Sequence, residues 1–292
     1  MISFSIIIPV YKGQQYIPNL IRIAEANARE LDSASIENNV ELILVNDSPD
    51  IPLEIETESR TVTIRPLANE HNSGIHQSRI NGLQAATGEY IVFLDQDDQI
   101  ADDFLTKLYT IAIEKKADVV VGNAVNEISE QVSMLAYRTK GLYRNVTRLE
   151  AYVVSRNQII SPGQCLIRKA SIPQEWCQFV VKINGADDLF LWLLMMVLGR
   201  KFEICKDVVY THRYTGENLS AAIDKMTNSS LEVGQYLQQI SYVPKRVTED
   251  FIKCCKLHQL FRNASFAEKI VLMLKNSVLF TRRLYVKLST YF

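Results

Sequence analysis

Cysteine is scarce in this chain, five among 292 residues, and Cys165, Cys177, Cys205, Cys254 and Cys255 show none of the paired spacings of a metal site. An odd and scattered set suits free thiols in a reducing compartment and excludes a disulfide scaffold. With 11 glycines and 8 prolines the chain is not a collagen-like or low-complexity polymer. Long hydrophobic runs are missing as well. The longest unbroken one, Leu189 to Leu198, has half of the ~20 residues that a spanning helix needs. Met1 to Pro9 has no basic start and only a short apolar run, so no secretory signal is expected there. Nor does one charge dominate: 32 Lys and Arg against 33 Asp and Glu leave a net −1, which argues against a nucleic-acid partner. The expected localisation is cytoplasmic.

What is present is an alternation of strands and helices. Ser5-Ile6-Ile7-Ile8-Pro9-Val10-Tyr11 is a β-branched run without polar alternation, the pattern of a strand covered on both faces. A helical stretch follows over Tyr16 to Leu31, then a strand over Val40 to Val45, stopped by the turn formers Asn46-Asp47-Ser48-Pro49-Asp50. A third strand is expected over Thr61 to Arg65, a helix over Gly74 to Ala86, a strand over Tyr90 to Leu94, and a helix over Ala101 to Lys115. This alternation predicts a doubly wound α/β sheet up to about Gly122. Such sheets bind ligands beyond the carboxyl ends of their strands, where the strand order reverses. Tyr11, Asp47, Asp95 and Asp97 are therefore expected along one rim. Beyond Gly122, short strand-like runs (117–121, 163–167, 202–205, 208–210) mix with helices over 147–155 and 187–198, an irregular half packed on the same sheet. From about Glu217 onward the pattern is helical.

Asp95-Gln96-Asp97-Asp98 sets three carboxylates on a tight turn after a buried strand. Converging carboxylates repel, and a hard divalent cation keeps them ionised. Mn²⁺ or Mg²⁺ held by one or two of them, with substrate phosphates and water completing its shell, fits such a turn. Capping of the next helix by Asp98 is the competing reading, and it accounts for only one acid. Asp187-Asp188 directly precedes the apolar run, where one acid could cap the helix and the other could serve as a general base. The residues alone leave both readings open. His71, His76 and His258 lack metal spacing. Ser161-Pro162-Gly163-Gln164 reads first as a turn, Trp192, Met195 and Met196 read as core, and Trp176 suits either core or stacking on a sugar.

Taken together, Ser5 to Tyr11, Val45 to Asp50, Asn72-Ser73-Gly74 with Ser78-Arg79-Ile80-Asn81-Gly82, Ala86-Thr87-Gly88-Glu89-Tyr90-Ile91, and Phe93 to Asp98 resemble the ordered motifs of the family 2 glycosyltransferases. Each motif is weak alone; five in order are specific. A weaker resemblance continues through Asp187-Asp188 and Arg213 to Ser220. The resemblance implies an α/β GT-A fold, a Rossmann-like mixed sheet flanked by helices, here with a C-terminal helical extension. It also implies an inverting, metal-dependent transfer from a nucleotide-diphosphate sugar, a UDP-sugar, to a hydroxyl of a glycan or lipid-linked acceptor in bacterial surface polysaccharide synthesis. By the same resemblance, Pro9 to Tyr11 would pack on the base, Asp47 would bind the nucleoside, and Arg79 would face the nucleotide and diphosphate. Asp97 would bind Mn²⁺ or Mg²⁺, Asp95 would orient ribose or metal-bound water, and Asp188 would be the base, with Asp187, Gln164 and Trp176 near the acceptor. The implied organisation is a catalytic domain over 1–220, its halves 1–122 (nucleotide sugar) and 123–220 (acceptor), followed by an extension over 221–292.

Two positions depart from the family's pattern. Asp187 stands where glutamate is usual. In His212-Arg213-Tyr214-Thr215-Gly216, Thr215 takes the place of the histidine in Tyr-Arg-X-His, and His212, three residues earlier, is expected to point elsewhere. Two other readings compete. A haloacid-dehalogenase-like phosphotransferase would use Asp95 as nucleophile, but wants Thr or Val where Gln99 stands. A sugar- or nucleotide-binding subunit would need no base at Asp188. The last segment, 245–292, carries ten Lys and Arg against three acids with apolar residues between them. That composition suits peripheral contact with an anionic membrane, on the inner face of the plasma membrane, and equally a packed helical subdomain.

Overall fold

The β-branched run that opens the chain has no polar face, and it ends up between two parallel neighbours. In a computed structural model, which describes residues 1–55, 59–129, 132–213 and 223–291, one mixed sheet contains β1 (Ile2–Val10), β2 (Asn38–Asn46), β3 (Val62–Ala68), β4 (Tyr90–Phe93), β5 (Gln99–Ile100), β6 (Val119–Ser129), β7 (Val132–Leu135), β8 (Cys165–Arg168) and β9 (Phe202–Arg213). Its order is β3-β2-β1-β4-β8-β6-β9-β5, with β7 added to β6. β3, β2, β1 and β4 are all parallel, as the alternation predicts. β8 then runs antiparallel to both β4 and β6, so the sheet is mixed. The two short runs expected at 202–205 and 208–210 are one strand, because β9 bulges between Cys205 and Val208 where it pairs with Gly122 and Asn123 of β6.

The chain divides into two compact units. Unit 1 comprises Met1–Ala136, Ile159–Ile172 and Arg200–Thr215, and holds every described strand with α1 (Ile17–Ser33), α2 (Ile75–Ala85) and α3 (Phe104–Lys115). Unit 2 comprises Tyr137–Gln158, Pro173–Gly199 and Gly216–Phe292. It contains α4 (Lys140–Val146), α5 (Leu149–Val154), α6 (Gln174–Gln178), α7 (Asp187–Val197), α8 (Ile223–Leu237), α9 (Lys245–Asn263), α10 (Phe266–Lys275) and α11 (Ser277–Ser289). The units interleave along the sequence, so contacts divide the chain differently from linear boundaries at 122 and 220.

In unit 1, α1 buries Ile17, Leu20, Ile21, Ala24, Ala28 and Leu31, a helical stripe that meets Phe4, Ile6 and Ile8 of β1 in the core. Two glycines permit the close packing of the motif segments. A Cβ on Gly82 of α2 would lie 2.3 Å from Ile7 Cγ2, and one on Gly88 would lie 2.6 Å from the Ser5 backbone nitrogen. The five cysteines are free. Among the described residues no helix is long and apolar enough to cross a membrane.

Candidate active site

β1 lies between β2 and β4, so the strand order reverses beside it and the loops leaving the carboxyl ends of β1, β2 and β4 emerge together. Their side chains tie them into one surface. The Gln96 amide oxygen accepts from the Tyr11 backbone N–H at 3.0 Å, and its NH₂ donates to the Tyr11 carbonyl at 3.2 Å. Lys12, in the left-handed region at φ 49°, donates its N–H to Ser48 Oγ at 3.0 Å. Gly13 lies against Gln96, where a Cβ would come within 2.1 Å of the amide oxygen. The Tyr11 ring stays exposed on this frame, while Pro9 is half-buried in β1.

Asp47 is buried at the end of β2 and accepts from Asn69 Nδ2 (2.8 Å), Ser73 N (2.7 Å) and Gly74 N (3.0 Å). It thereby shapes the approach to α2, whose N-cap Gly74 needs its positive φ of 83°. Asn69 also donates to Ser78 Oγ and accepts from Asn81 Nδ2 at 2.7 Å, which explains those two polar positions in an otherwise inward-facing helix. One turn into α2, the buried Arg79 guanidinium reaches Asp95 at 2.5 Å. Ser161 Oγ donates to the other Asp95 oxygen at 3.1 Å.

The three acids of the turn therefore differ. Asp95 is paired with Arg79, yet burial outweighs that pair and pushes its pKa up. Asp98 does not cap a helix: it is buried, accepts from Arg213 N at 3.0 Å and from the Tyr210 hydroxyl, and lies 3.0 Å from His212 Nδ1. α3 starts later than expected, at Phe104, and its Leu105 N–H is capped by Asn27 Oδ1 of α1 at 2.9 Å. Nor does His212 point elsewhere. β9 carries it to the acidic turn, where its bond to Asp98 pushes its pKa up. Thr215 lies outside the described residues. Asp97 has an electrostatic problem as well, because burial and then the charges of Asp98 and Asp95 push it up to about 6.

That problem is the test of whether these residues suit Mn²⁺ or Mg²⁺. A carboxylate raised by acidic neighbours is one that a divalent cation would hold ionised. Among the described residues no group of three or more His, Cys, Asp and Glu forms a cage. The donors at the turn are carboxylate oxygens, the type that suits a hard cation taking one or two of them and filling its shell with phosphate and water.

Unit 2 carries the second acidic pair. Both acids lie in the first turn of α7, where a negative charge is favoured. Asp188 is nearly buried; its Oδ2 accepts from Asn157 Nδ2 at 2.7 Å and its Oδ1 from Leu189 N at 2.7 Å. Trp176 is 1% exposed and donates its indole N–H to the Asp187 carbonyl at 2.8 Å, so it is core that supports the start of α7 and presents no face for sugar stacking. Gln164, in unit 1, is fully buried. It accepts from Ile160 N (3.0 Å) and donates to the Gly122 carbonyl (2.9 Å), bonds it would have to give up to touch an acceptor. Sequence gives Gln96 and Ser161 no role of their own, only places inside the acidic motif and the Ser161–Gln164 turn, and it does not point to Asn69, which stands near a motif segment, or to Asn157, which nothing local marks.

Comparison with known proteins identifies the assembly. A family model described as Glycosyl transferase family 2 matches residues 5–174, more than half of the chain. "Glycosyltransferase GlyA" of Streptococcus pneumoniae is 31% identical over 158 residues, covering 51% of this chain and 21% of that protein. A poly(ribitol-phosphate) beta-glucosyltransferase of Bacillus spizizenii is 24% identical over 229 residues, covering 75% and 34%. The chain thus spans about a third or less of these two curated relatives. Among solved structures, S. aureus TarS 1-349 in complex with UDP-GlcNAc superposes with a TM-score of 0.60 at 15% identity, covering 90% of this chain and 74% of that one. The fold is therefore GT-A, and a dehalogenase-like role for Asp95 falls away with Arg79 and Ser161 already bound to it. With the acidic turn, the Arg79 helix and the Tyr11 loop all inside the matched residues, the chain belongs to glycosyl transferase family 2.

Proposed function

We propose that this chain is an inverting glycosyltransferase that moves a sugar from a nucleotide-diphosphate donor, a UDP-sugar, to a hydroxyl of a glycan or lipid-linked acceptor in bacterial surface polysaccharide synthesis. The observation that carries the reading is Asp97, a carboxylate crowded by acids, on a turn that Gln96 locks to the exposed Tyr11 loop. Such a rim offers an aromatic face to a base and a cation-seeking oxygen where a diphosphate would lie, while Asp47, its oxygens taken by Asn69, Ser73 and Gly74, would serve a nucleoside by holding the loop before α2 in place. The UDP-GlcNAc complex of a structural neighbour supports the choice of nucleotide, and the poly(ribitol-phosphate) glycosyltransferases among the relatives support a surface-polymer acceptor.

In the proposed reaction Asp188 takes the proton of the acceptor hydroxyl, and Asn157 keeps its carboxylate oriented for that task. The freed oxygen attacks the anomeric carbon opposite the diphosphate, a new C–O bond forming as the bond to the phosphate oxygen breaks, so the configuration inverts. Mn²⁺ or Mg²⁺ on Asp97, when bound, would absorb the charge growing on the departing diphosphate. Arg79, paired with Asp95, keeps that carboxylate from repelling the diphosphate. The test is a donor screen: nucleotide release and thermal shift with the common UDP-sugars, each with Mn²⁺, Mg²⁺ or chelator, and with saccharide and polyol-phosphate acceptors. Metal-dependent binding of one UDP-sugar and acceptor-stimulated UDP release are expected. Binding without turnover on any acceptor would favour the non-catalytic subunit, and no binding at all would overturn the reading.

A further inference from the structure

α10 buries none of its residues. Phe266, Ile270, Met273 and Leu274 lie at spacings of four, seven and eight along one stripe of it, with Phe266 81% and Leu274 72% exposed. On α11, Leu284, Tyr285 and Leu288 are exposed in the same way, followed by Tyr291 just past its end. Basic side chains stand among them: Lys269, Lys275 and Lys287 on the two helices, and the Arg148 guanidinium 5.7 Å over the Tyr285 ring. No carboxylate among the described residues pairs with Lys269, Lys275 or Lys287. Glu268 is the one acid over 264–291, and it is occupied in a capping box with Ser265.

This face is held outward by ties on its other side. α11 buries Leu279 and Val286, receives a hydrogen bond from Asn145 at the Val286 carbonyl (3.2 Å), and passes so close to α4 that a Cβ on Gly141 would overlap the Ser289 carbonyl. Arg282 grips both Glu150 oxygens at 2.7 and 2.9 Å and Asp250 at 2.5 Å. Phe280 packs on Phe261 of α9 with ring centroids 5.0 Å apart. With its inner face fully engaged, α11 cannot rotate to hide Leu284 and Leu288.

We infer that the outer face of α10 and α11 binds the surface of an anionic lipid bilayer, going beyond the proposed reaction. The apolar stripe enters the boundary between headgroups and acyl chains, the two tyrosines sit at that boundary, and Lys269, Lys275 and Lys287 reach the headgroup phosphates. Charge decides for lipid over a second copy of the chain: pairing two such faces would press like-signed lysines together, whereas an anionic bilayer answers both the apolar stripe and the positive charge.

The experiment is flotation of the whole chain with vesicles of phosphatidylcholine alone or mixed with phosphatidylglycerol, without nucleotide or metal, so that it is independent of the reaction. Two variants accompany it, Phe266→Ser with Leu274→Ser and Lys275→Glu with Lys287→Glu, all at exposed positions, each checked for an unchanged thermal midpoint. Binding to the mixed vesicles is expected at low salt. It should weaken at least about tenfold on phosphatidylcholine alone, at ~0.5 M salt, and in either variant. Absence of binding to mixed vesicles, or variants that bind as well as the parent, would overturn the inference. So would a dimer, seen by light scattering, that both variants dissolve while vesicles leave it intact.

Discussion

Asp95, Asp97 and Asp98 are one chemical type within four residues, and their partners give them three different capacities. Asp95 is paired with Arg79 in a burial that still pushes its pKa up, and Asp98 has spent its oxygens on Tyr210, Arg213 and His212. Asp97 alone of the three has acids as its dominant neighbours. Asp97→Asn should therefore abolish the thermal shift that UDP-sugar and Mn²⁺ produce together and cut turnover by ~10²-fold or more, with the unfolding midpoint of the free protein unchanged or raised. Full turnover in that variant, or wild-type activity that ignores excess chelator, would remove Asp97 from the metal. At the second acidic pair, Asp188→Asn should lower kcat by ~10²-fold or more and leave donor affinity nearly unchanged, because a base acts mainly as the proton departs. Asn can still cap, so the substitution separates chemistry from structure. Asp187→Asn should be the milder change; if it alone inactivates, the base is misassigned.

At the scale of elements, the donor rim depends on loops locked to one another. Gln96→Ala removes both bonds that hold the Tyr11 main chain to the acidic turn. The donor KM should rise by roughly three- to tenfold, about 1 kcal/mol of lost positioning for a pair of exposed hydrogen bonds, with kcat changed less. A drop in kcat at constant KM would instead place Gln96 in the transition state. Apart from the two-residue β5, which no local run marks, the strands and helices of residues 1–115 are legible because their apolar periodicity is local: α1, β2, α2 and β4 lie within a few residues of the expected spans. The start of α3 was not legible. The residue that caps it, Asn27, sits on another helix, and no pattern near Phe104 encodes that contact. β9 was read as two runs because a bulge interrupts its alternation, and only the partner strand shows that pairing resumes.

Across the whole molecule, buried charge belongs to the architecture as well as to the site. Glu41 of β2 is buried, which works against its charge, yet bonds from Ser5 Oγ (2.6 Å), Thr87 N (2.6 Å) and Arg65 Nη1 (2.9 Å) hold its pKa below the ordinary value of 4.5. A depressed folded-state value means that this stabilisation is complete above 4.5 and lost as the pH falls through the lower, folded value. Glu41→Gln should thus cost about 2 kcal/mol in urea unfolding at neutral pH, and the gap from wild type should close in acid below that range. A gap that persists unchanged in acid would mean that shape, not charge, holds the site. The sequence by itself determined the alternation of the first 115 residues, the ordered motifs and their family, and the acidic, aromatic and basic side chains at the strand ends, because strand ends and helix faces follow from local periodicity. Tertiary structure decided what each side chain is free to do. It buried Trp176 and Gln164 behind their own hydrogen bonds, brought His212 to Asp98, and turned the apolar stripe of α10 outward. Those outcomes depend on residues far apart in the chain competing for the same few polar atoms, a competition that one-dimensional patterns do not record.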